Sequence, residues 1–309
     1  MSRSRQAVIL GATGPTGIHL AEALRGRVDN IRVVSRKLSN LQRAFPGERF
    51  ERVAADALDA KQTAAAVDGC DVVYDCIGLP PELMDRHGDV AGNVAAALRS
   101  SGARGVQISS YWSYMPVQKT PLDESHPRRG GPQWARMRRE AEDILQQAGA
   151  VIVQLPDFFG PDVHTSSLQG ALEEAASGKT MNWIGSADAR HDFIYVPDAM
   201  RVAAQLAEDD AACGERFLVP GSGAISGNEL AAVVSEALDR EIKVRGAGPL
   251  LLRIVSLFNG DLRAFMPMVP EYAKPISYDG SKLEALIGQT ARTSYPDAIR
   301  ETLRWIAAR

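Results

Sequence analysis

The chain has 309 residues, of which 45% are hydrophobic and 24% charged, a balance typical of one large α/β unit or two closely joined domains. Its formal net charge of −3 attracts neither nucleic acid nor a membrane surface, so we expect neither as a partner. The sequence shows no metal-ligand spacing, which predicts no metal site. Three unpaired cysteines and no signal-peptide pattern predict a cytoplasmic protein.

Apolar strands and helical stretches alternate through the first half of the chain. Predicted strands occupy residues 7–10, 31–34, 50–54, 72–75, 106–108 and 151–155. Predicted helices between them occupy 17–24, 61–67, 90–100 and 134–148. This alternation predicts an α/β fold with a Rossmann-type doubly wound parallel sheet, whose ligand crevice lies at the carboxyl ends of the strands.

The second half is predicted to be mostly helical. Predicted helices lie at 167–178, 198–207, 228–240, 248–258 and 296–308, with strands at 193–196 and 217–219. One of these helices is predicted to open with a cap at Asn228 and Glu229. We expect a dinucleotide-binding domain at 1–160, joined by returning strands at about 190–222. A smaller, mostly helical C-terminal substrate region would then comprise 161–189 and 223–309.

The first predicted strand runs directly into three glycines spaced three residues apart. A strand that turns there and enters a helix presents unpaired N–H groups and a positive dipole end to phosphates. Any tight strand-to-helix turn could use such a triplet, but the flanking apolar strand and helix favour dinucleotide binding. The predicted pyrophosphate site comprises Gly11, Thr13, Gly14, Pro15, Thr16 and Gly17.

The second predicted strand ends in Ser35, Arg36 and Lys37, without the carboxylate that usually binds the adenosine ribose of NAD. Arg36 can pair with a 2′-phosphate in bidentate fashion, and its neighbours can add donors. An exposed turn is the alternative, but the position about twenty residues after the glycines favours a phosphate contact. We predict NADP(H) as the preferred cofactor, with NAD(H) as the alternative.

The ordered series of motifs resembles the short-chain dehydrogenase/reductase superfamily, in particular its extended, NAD-dependent epimerase/dehydratase branch and the atypical relatives of that branch. The motifs are the glycine turn, Asp56, 76–78, Ser109-Ser110, 157–161, 192–198 and 278–288. Together they span almost the whole chain. The resemblance implies further cofactor contacts by Asp56, Ala57, Cys76, Ile77, Gly78, Ser109, Arg138 and Pro156.

One departure from the superfamily concerns its catalytic tyrosine and lysine. The positions that correspond to this pair hold Trp134 and Arg138. In the superfamily the lysine lowers the tyrosine pKa so that the phenol can exchange a proton. An indole cannot act as an acid or base, whereas Arg138 can orient ribose hydroxyls but cannot deprotonate. The resemblance therefore implies that the usual catalytic pair is replaced.

Several residues are candidates to replace it. Ser110 corresponds to a Ser/Thr that hydrogen-bonds substrate in the superfamily, and Tyr111 and Tyr114 offer phenols nearby. His191 offers an imidazole; it stands where nucleotide-sugar enzymes carry an arginine, and Arg190 is one place off. Backbone capping, aromatic packing and structural hydrogen bonds are the alternatives for these side chains. The predicted catalytic set is Ser110, Tyr111, Tyr114, Arg138 and His191. The predicted substrate pocket comprises Trp112, Trp134, Asp157, Phe158, Phe159, His164 and His191.

An arginine cluster accompanies the predicted helix at 134–148. Spacings of four residues pair three of its arginines with carboxylates, which favours a solvated helix face for every member except Arg138. The cluster comprises Arg128, Arg129, Arg136, Arg138 and Arg139.

These observations favour an NADP(H)-dependent oxidoreductase acting on a carbonyl, hydroxyl or activated alkene of a small organic substrate. A sugar or nucleotide-sugar epimerase/dehydratase is one alternative, although Trp134 and His191 disfavour it because alcohol oxidation needs a competent base. A non-catalytic NADP-sensing regulatory protein is the other; the replaced pair favours it, and Ser110 with the loop tyrosines disfavours it. We expect a monomer or a homodimer.

Overall fold

The computed structural model describes residues 5–258 and 260–309. The expected absence of a signal peptide concerns residues 1–4, which lie outside the described residues. The central sheet has seven strands, all paired in parallel, in the order β10-β6-β5-β4-β1-β2-β3. Its strands are β1 Gln6–Leu10, β2 Asn30–Ser35, β3 Phe50–Ala54, β4 Val72–Asp75, β5 Arg104–Ser110, β6 Val151–Leu155 and β10 Arg216–Leu218. The doubly wound parallel sheet is thereby confirmed.

Helices cover both faces of this sheet, because each strand buries side chains on both sides. In β1, Ala7 and Ile9 face one hydrophobic core while Val8 and Leu10 face another. The first core is covered by α1 Pro15–Ala23, α2 Leu38–Ala44 and α7 Val196–Leu206. The second is covered by α3 Ala60–Val67, α4 His87–Ser101 and α5 Gln133–Gln147.

The remaining described elements are two small sheets, further helices and short 3₁₀ helices. Two small sheets combine β7 Asp157–Phe159, β9 Arg190–Tyr195 and β11 Ala224–Ser226, and β8 Met181–Ile184 with β12 Val244–Ala247. The helices are α6 Ser167–Ala176, α8 Gly227–Leu238, α9 Pro249–Val255, α10 Gly260–Phe265, α11 Val269–Tyr272, α12 Ser281–Ile287 and α13 Tyr295–Ala307. Short 3₁₀ helices occur at Pro81–Arg86, Tyr111–Tyr114 and Asp210–Ala212. Within the described residues, no helix combines the length and apolarity needed to cross a bilayer.

The structure locates one predicted strand and corrects one predicted helix cap. The strand predicted at 217–219 is β10, which joins the central sheet as its seventh strand. The cap of α8 is Ser226, not Asn228: the Ser226 hydroxyl accepts the Glu229 N–H, and the Glu229 carboxylate accepts the Ser226 N–H. This reciprocal capping box places the helix start one residue before the predicted position.

Candidate active site

The carboxyl ends of the central strands open into one cleft of about 1120 Å³. It runs from the ends of β1 and β2, past β4, to an aromatic wall formed by residues of the 3₁₀ helix Tyr111–Tyr114, α5 and α10. Most of the predicted cofactor residues line it: Gly11, Thr13, Gly14, Pro15, Thr16, Ser35, Arg36, Lys37, Asp56, Ala57, Cys76, Ile77, Gly78 and Arg138. Of the predicted substrate residues, Trp112, Trp134, Asp157 and Phe158 line it as well.

The three glycines of the first turn meet different steric demands. Gly11 has φ +74°, and a Cβ there would lie 2.9 Å from the carbonyl oxygen of Cys76. A Cβ at Gly17 would lie 2.5 Å from Cα of Ala12, so only glycine lets α1 pack this closely on the turn. At Gly14, by contrast, a Cβ would come no closer than 3.5 Å to another group of the protein. Packing of the chain itself does not demand glycine at Gly14.

Gly14 is also the N-cap of α1, and no side chain caps that helix end. Pro15 follows as the first helical residue, which fixes the backbone direction without using an N–H donor. The helix therefore presents uncapped N–H groups and its positive dipole end to the cleft. This cradle, which a Cβ at Gly14 would narrow, fits the pyrophosphate of a dinucleotide.

The end of the cleft next to β2 carries exposed cations. Arg36 and Lys37 follow β2 and line the cleft, and the Ser35 hydroxyl donates to the Lys37 carbonyl at 3.2 Å. The carboxylate on this side belongs to Asp56 after β3, where it accepts the Leu58 N–H at 3.0 Å. The charge at the end of β2 thus suits an anionic group.

Aromatic side chains form the opposite end. The rings of Trp112 and Trp134 stack with centroids 6.1 Å apart at 18°. Phe265 packs edge-on against Tyr272 at 4.9 Å, and the Trp112 indole N–H donates to the Tyr272 hydroxyl at 2.9 Å. This hydrogen bond satisfies the indole and leaves the ring faces to form the wall. The sequence analysis singled out neither Phe265 nor Tyr272, whose segment carries no recognisable motif.

Arg138 projects from α5 into the cleft beside this wall. Glu142, one helical turn further along, and Asp75 attract its guanidinium, while desolvation lowers the Arg138 pKa from its ordinary value. Its Nε is buried and has no hydrogen-bond partner among the described residues. A buried donor without an acceptor is costly, so this group fits an incoming hydroxyl or phosphate oxygen.

Asp157 is the carboxylic acid at the aromatic end. It follows the buried Pro156 at the end of β6, and its Oδ2 accepts the Ser167 N–H at 3.2 Å and the Ser167 hydroxyl at 2.5 Å. Desolvation raises the pKa of Asp157 to about 6, despite these stabilising hydrogen bonds. A carboxyl with this pKa can exchange protons near neutral pH.

A small inner cavity of about 20 Å³ lies behind Asp157, and Tyr111 and His191 line this cavity instead of the cleft. Desolvation raises the pKa of the buried Tyr111 phenol and lowers that of His191 to about 4. The His191 ring packs against Trp183 at 5.5 Å. Both side chains are therefore neutral at pH 7 and separated from the cleft.

Two further predicted catalytic residues lie outside both cavities. Tyr114 is fully buried, and its hydroxyl donates to the Gln154 side chain at 2.9 Å. Ser110 ends β5, where its hydroxyl accepts the Trp112 N–H at 3.4 Å, as the capping alternative expected. Neither side chain lines the cleft.

The other predicted site residues outside the cleft make packing or structural contacts. The Ser109 hydroxyl donates to Glu142 at 2.5 Å, and the Phe159 ring stacks on Tyr295 at 6.1 Å. His164 is exposed and packs against Trp305 at 5.7 Å. Gly17 packs closely against Ala12 in the turn after β1, and Pro156 is buried directly after β6.

The arginine cluster is less solvated than predicted. Glu142 is completely buried and accepts hydrogen bonds from Ser109, Arg128 and the Gln154 amide. Arg128 is nearly buried and bridges Glu142 to Asp143. The prediction of an exposed helix face is therefore wrong for Arg128, because four-residue spacing cannot reveal a partner from a preceding loop. This network fixes α5, and with it Arg138 and Trp134, against β5.

Residues 7–219 match the sequence profile of the NAD-dependent epimerase/dehydratase family. The chain belongs to this family. Over 231 residues, 69% of each chain, it is 26% identical to sterol demethylase protein B of Methylococcus capsulatus. Over 228 residues, 67% of this chain and 73% of the other, it is 26% identical to a 3-diazoavenalumate denitrifying reductase of a Streptomyces species.

Among solved structures, the fold resembles that of UDP-glucuronic acid 4-epimerase from Bacillus cereus in complex with NAD. The TM-score is 0.80 at 16% identity, covering 98% of this chain and 99% of the epimerase. Membership in the family supports a nicotinamide-dinucleotide-dependent enzyme.

Proposed function

We propose that this chain is an NADP(H)-dependent oxidoreductase acting on a carbonyl, hydroxyl or activated alkene of a small organic substrate. The observation that carries the proposal is the arrangement of the cleft at the carboxyl ends of the strands. Cations lie at the end that would take adenosine, the glycine cradle follows, and Arg138 and Asp157 both line the cleft towards its aromatic end. The substrate pocket would comprise Trp112, Trp134, Asp157 and Phe158, with Phe265 and Tyr272.

Different residues of the cleft would bind different parts of the cofactor. The N–H groups at the start of α1 would hold the pyrophosphate, and Arg36 with Lys37 would pair with a 2′-phosphate. Arg138 would donate to the ribose nearest the aromatic wall. When bound, the cofactor supplies or accepts the hydride.

Asp157 would transfer the proton to and from the substrate oxygen. In the reductive direction its acid form gives a proton to the substrate oxygen, and in the oxidative direction its carboxylate takes the proton back. Around the aromatic wall, Arg138 cannot give up a proton, and burial raises the pKa of Tyr272 well above its ordinary value. Asp157 is therefore the described cleft residue at this end whose pKa suits proton transfer near pH 7.

A nucleotide-sugar substrate is the weaker alternative. Arg190, which lies next to the position of the family's sugar-diphosphate arginine, lines neither cavity. Its guanidinium binds Glu229 and the carbonyl of Ala224. Arg138 is the cation among the described cleft residues at the aromatic end, and we assign it to the cofactor. The reductase name of the Streptomyces relative is consistent with reductive chemistry.

Titration of the purified protein with NADPH and NADH tests the cofactor assignment. We expect tighter binding of NADPH, and loss of about tenfold in NADPH affinity in Arg36→Ser, because a charged hydrogen bond to phosphate is removed. Arg43→Ser, at an exposed arginine of α2 that does not line the cleft, is the matched control. Preference for NADH would overturn the NADP assignment.

Nicotinamide oxidation against ketones, enones and sugar nucleotides then tests the reaction class. Turnover of a ketone or enone supports the oxidoreductase. Turnover confined to sugar nucleotides would replace it with the epimerase/dehydratase, and tight binding without any turnover would favour the sensor.

A further inference from the structure

Large hydrophobic side chains are exposed along α9 and the turn that follows it. We call this set the apolar face; it comprises Leu250, Leu251, Ile254, Leu257 and Phe258, which are 75%, 42%, 52%, 64% and 88% exposed. Elsewhere in the described chain, Leu38 is the large hydrophobic residue with comparable exposure, and it stands alone. Isolated exposed apolar residues are ordinary, but a contiguous group marks an interaction surface.

Helical spacing places these side chains on one side of the segment. Leu250, Ile254 and Leu257 are four and three residues apart, and Phe258 adds the adjoining position. The turn continues beyond α9, where the Leu257 N–H donates to the Ile254 carbonyl at 3.2 Å. Arg263 of α10 then donates to the carbonyls of Ser256 and Leu257 at 3.1 and 2.7 Å. The chain thus holds the apolar face outward with its own hydrogen bonds.

The sequence segment that contains the apolar face has a small positive charge. Over residues 241–261 it carries Lys243, Arg245 and Arg253 against Glu241 and Asp261, three cations minus two acids. All three cations are exposed, and Arg253 lies on α9 itself. The net charge of −3, which led us to expect no membrane partner, conceals this local excess. An apolar face with a cation, Arg253, on the same helix complements an anionic lipid surface.

The apolar face also adjoins the cleft. The next helix, α10, contributes Leu262 and Phe265 to the aromatic end of the cleft. A surface bound at the apolar face would therefore lie beside the part of the cleft assigned to the substrate.

We propose that the apolar face docks this protein on an anionic lipid surface, with its leucine and phenylalanine side chains inserted among the acyl chains and Arg253 at the headgroups. The docking brings the aromatic end of the cleft to the lipid boundary, where an apolar substrate would concentrate. It uses no cofactor and does not depend on the reaction proposed above.

Flotation of the full chain with vesicles tests the docking. The probes are phosphatidylcholine vesicles with and without phosphatidylglycerol, at low and high salt. We expect binding to the anionic vesicles and a fall of about tenfold in the bound fraction for the double variant Leu257→Ser/Phe258→Ser. Arg253→Gln should weaken binding to anionic vesicles and reduce its salt dependence. Leu38→Ser, at the isolated exposed leucine of α2, should bind like the parent.

Two controls make the outcome decisive. NADPH titration of each variant shows whether the cleft is intact, so loss of vesicle binding with unchanged NADPH affinity supports the proposal. Failure of the parent to bind either kind of vesicle would overturn it, as would unchanged binding by the double variant. A parent that is dimeric by light scattering and monomeric after the double substitution would assign the apolar face to a second copy of the chain.

Discussion

Desolvation at and behind the aromatic end of the cleft raises the pKa of carboxyl and phenol groups alike, with different consequences at neutral pH. It raises the pKa of Asp157 to about 6, towards neutrality, but moves the pKa of Tyr111 and Tyr272 further above neutrality. A tyrosine acid would need a neighbouring cation to counter this effect, and a carboxyl does not. With Trp134 in place of the superfamily's tyrosine, an aspartate in an apolar wall is a physically reasonable substitute.

Replacing Asp157 with Asn should remove the proton-transfer group while keeping its shape. For the substrate identified in the panel, we expect kcat for reduction to fall by about 10²–10⁴-fold. In the parent the reductive kcat should decline as pH rises through about 6, because the acid form is lost, and this limb should vanish in the variant. The measurement is kcat against pH, with NADPH affinity measured in parallel.

Ser167→Ala provides the companion to that experiment. The Ser167 hydroxyl donates to Asp157 and lowers its pKa, so removing it should move the reductive limb to higher pH while activity is kept. If the reductive kcat of both variants declines over the same pH range as that of the parent, Asp157 does not transfer the proton.

At the scale of single residues, the sequence identifies types and positions but not burial. Arg138 and Asp157 lie in the cleft as the family resemblance implied. Tyr114 and Ser109 have equally suitable chemistry, yet they turn towards Gln154 and Glu142 beneath the cleft. That orientation depends on the buried network around Glu142, which joins β5, the loop with Arg128, α5 and β6 and therefore leaves no local sequence pattern.

At the scale of elements, the glycines in the turn from β1 to α1 meet two different needs, which are close packing and room for a ligand. Their equal spacing in the sequence does not show which glycine meets which need. Gly17 is required by the close contact with Ala12, whereas the space at Gly14 lies towards the cleft. One glycine therefore serves the fold and the other leaves room for a ligand.

Alanine at each of these glycines should separate stability from binding. Gly17→Ala should lower the free energy of unfolding by about 1–3 kcal/mol or more, because its Cβ overlaps backbone atoms. Gly14→Ala should change it by about 1 kcal/mol at most, yet weaken NADPH binding. Urea unfolding and NADPH titration of both variants check this. Equal binding by Gly14→Ala and the parent would contradict the placement of the pyrophosphate.

Element length decides which strands the sequence reveals. β1 and β6 are five residues long and buried throughout or nearly so, and their apolar runs predict them. β7 and β11 have three residues each, too few to show a period of two. Their pairing with β9 comes from tertiary contacts, so the second half was predicted as mostly helical with fewer strands.

At the scale of the whole molecule, buried titratable groups act on stability in opposite directions. Desolvation lowers the pKa of His87 to about 3, so its contribution to stability is present above pH 6.5 and is lost as pH falls. Desolvation raises the pKa of Asp75 and Asp192 to about 6, so their contribution is present below about pH 4 and is lost as pH rises through 6. The two sets partly cancel between these limits.

The His87→Gln variant tests how much His87 contributes to the pH dependence of the free energy of unfolding. Between about pH 4 and pH 6 the unfolded parent binds a proton at His87 that the folded parent does not. The parent's free energy of unfolding, relative to that of the variant, should therefore rise by about 1.4 kcal/mol per pH unit. Urea unfolding across this range measures it, with His164→Gln at an exposed histidine as the control. A difference independent of pH would show that folded His87 is protonated.

The seventh strand of the central sheet also bears on the order of folding. The chain leaves the sheet after Leu155 and returns to it at Arg216, where β10 pairs with β6. A nascent chain that has emerged only through β6 exposes that strand's outer N–H and C=O groups, a template for pairing with other chains. Because the chain returns at β10, the seven-stranded sheet reaches its final form only when the second half of the polypeptide has been made.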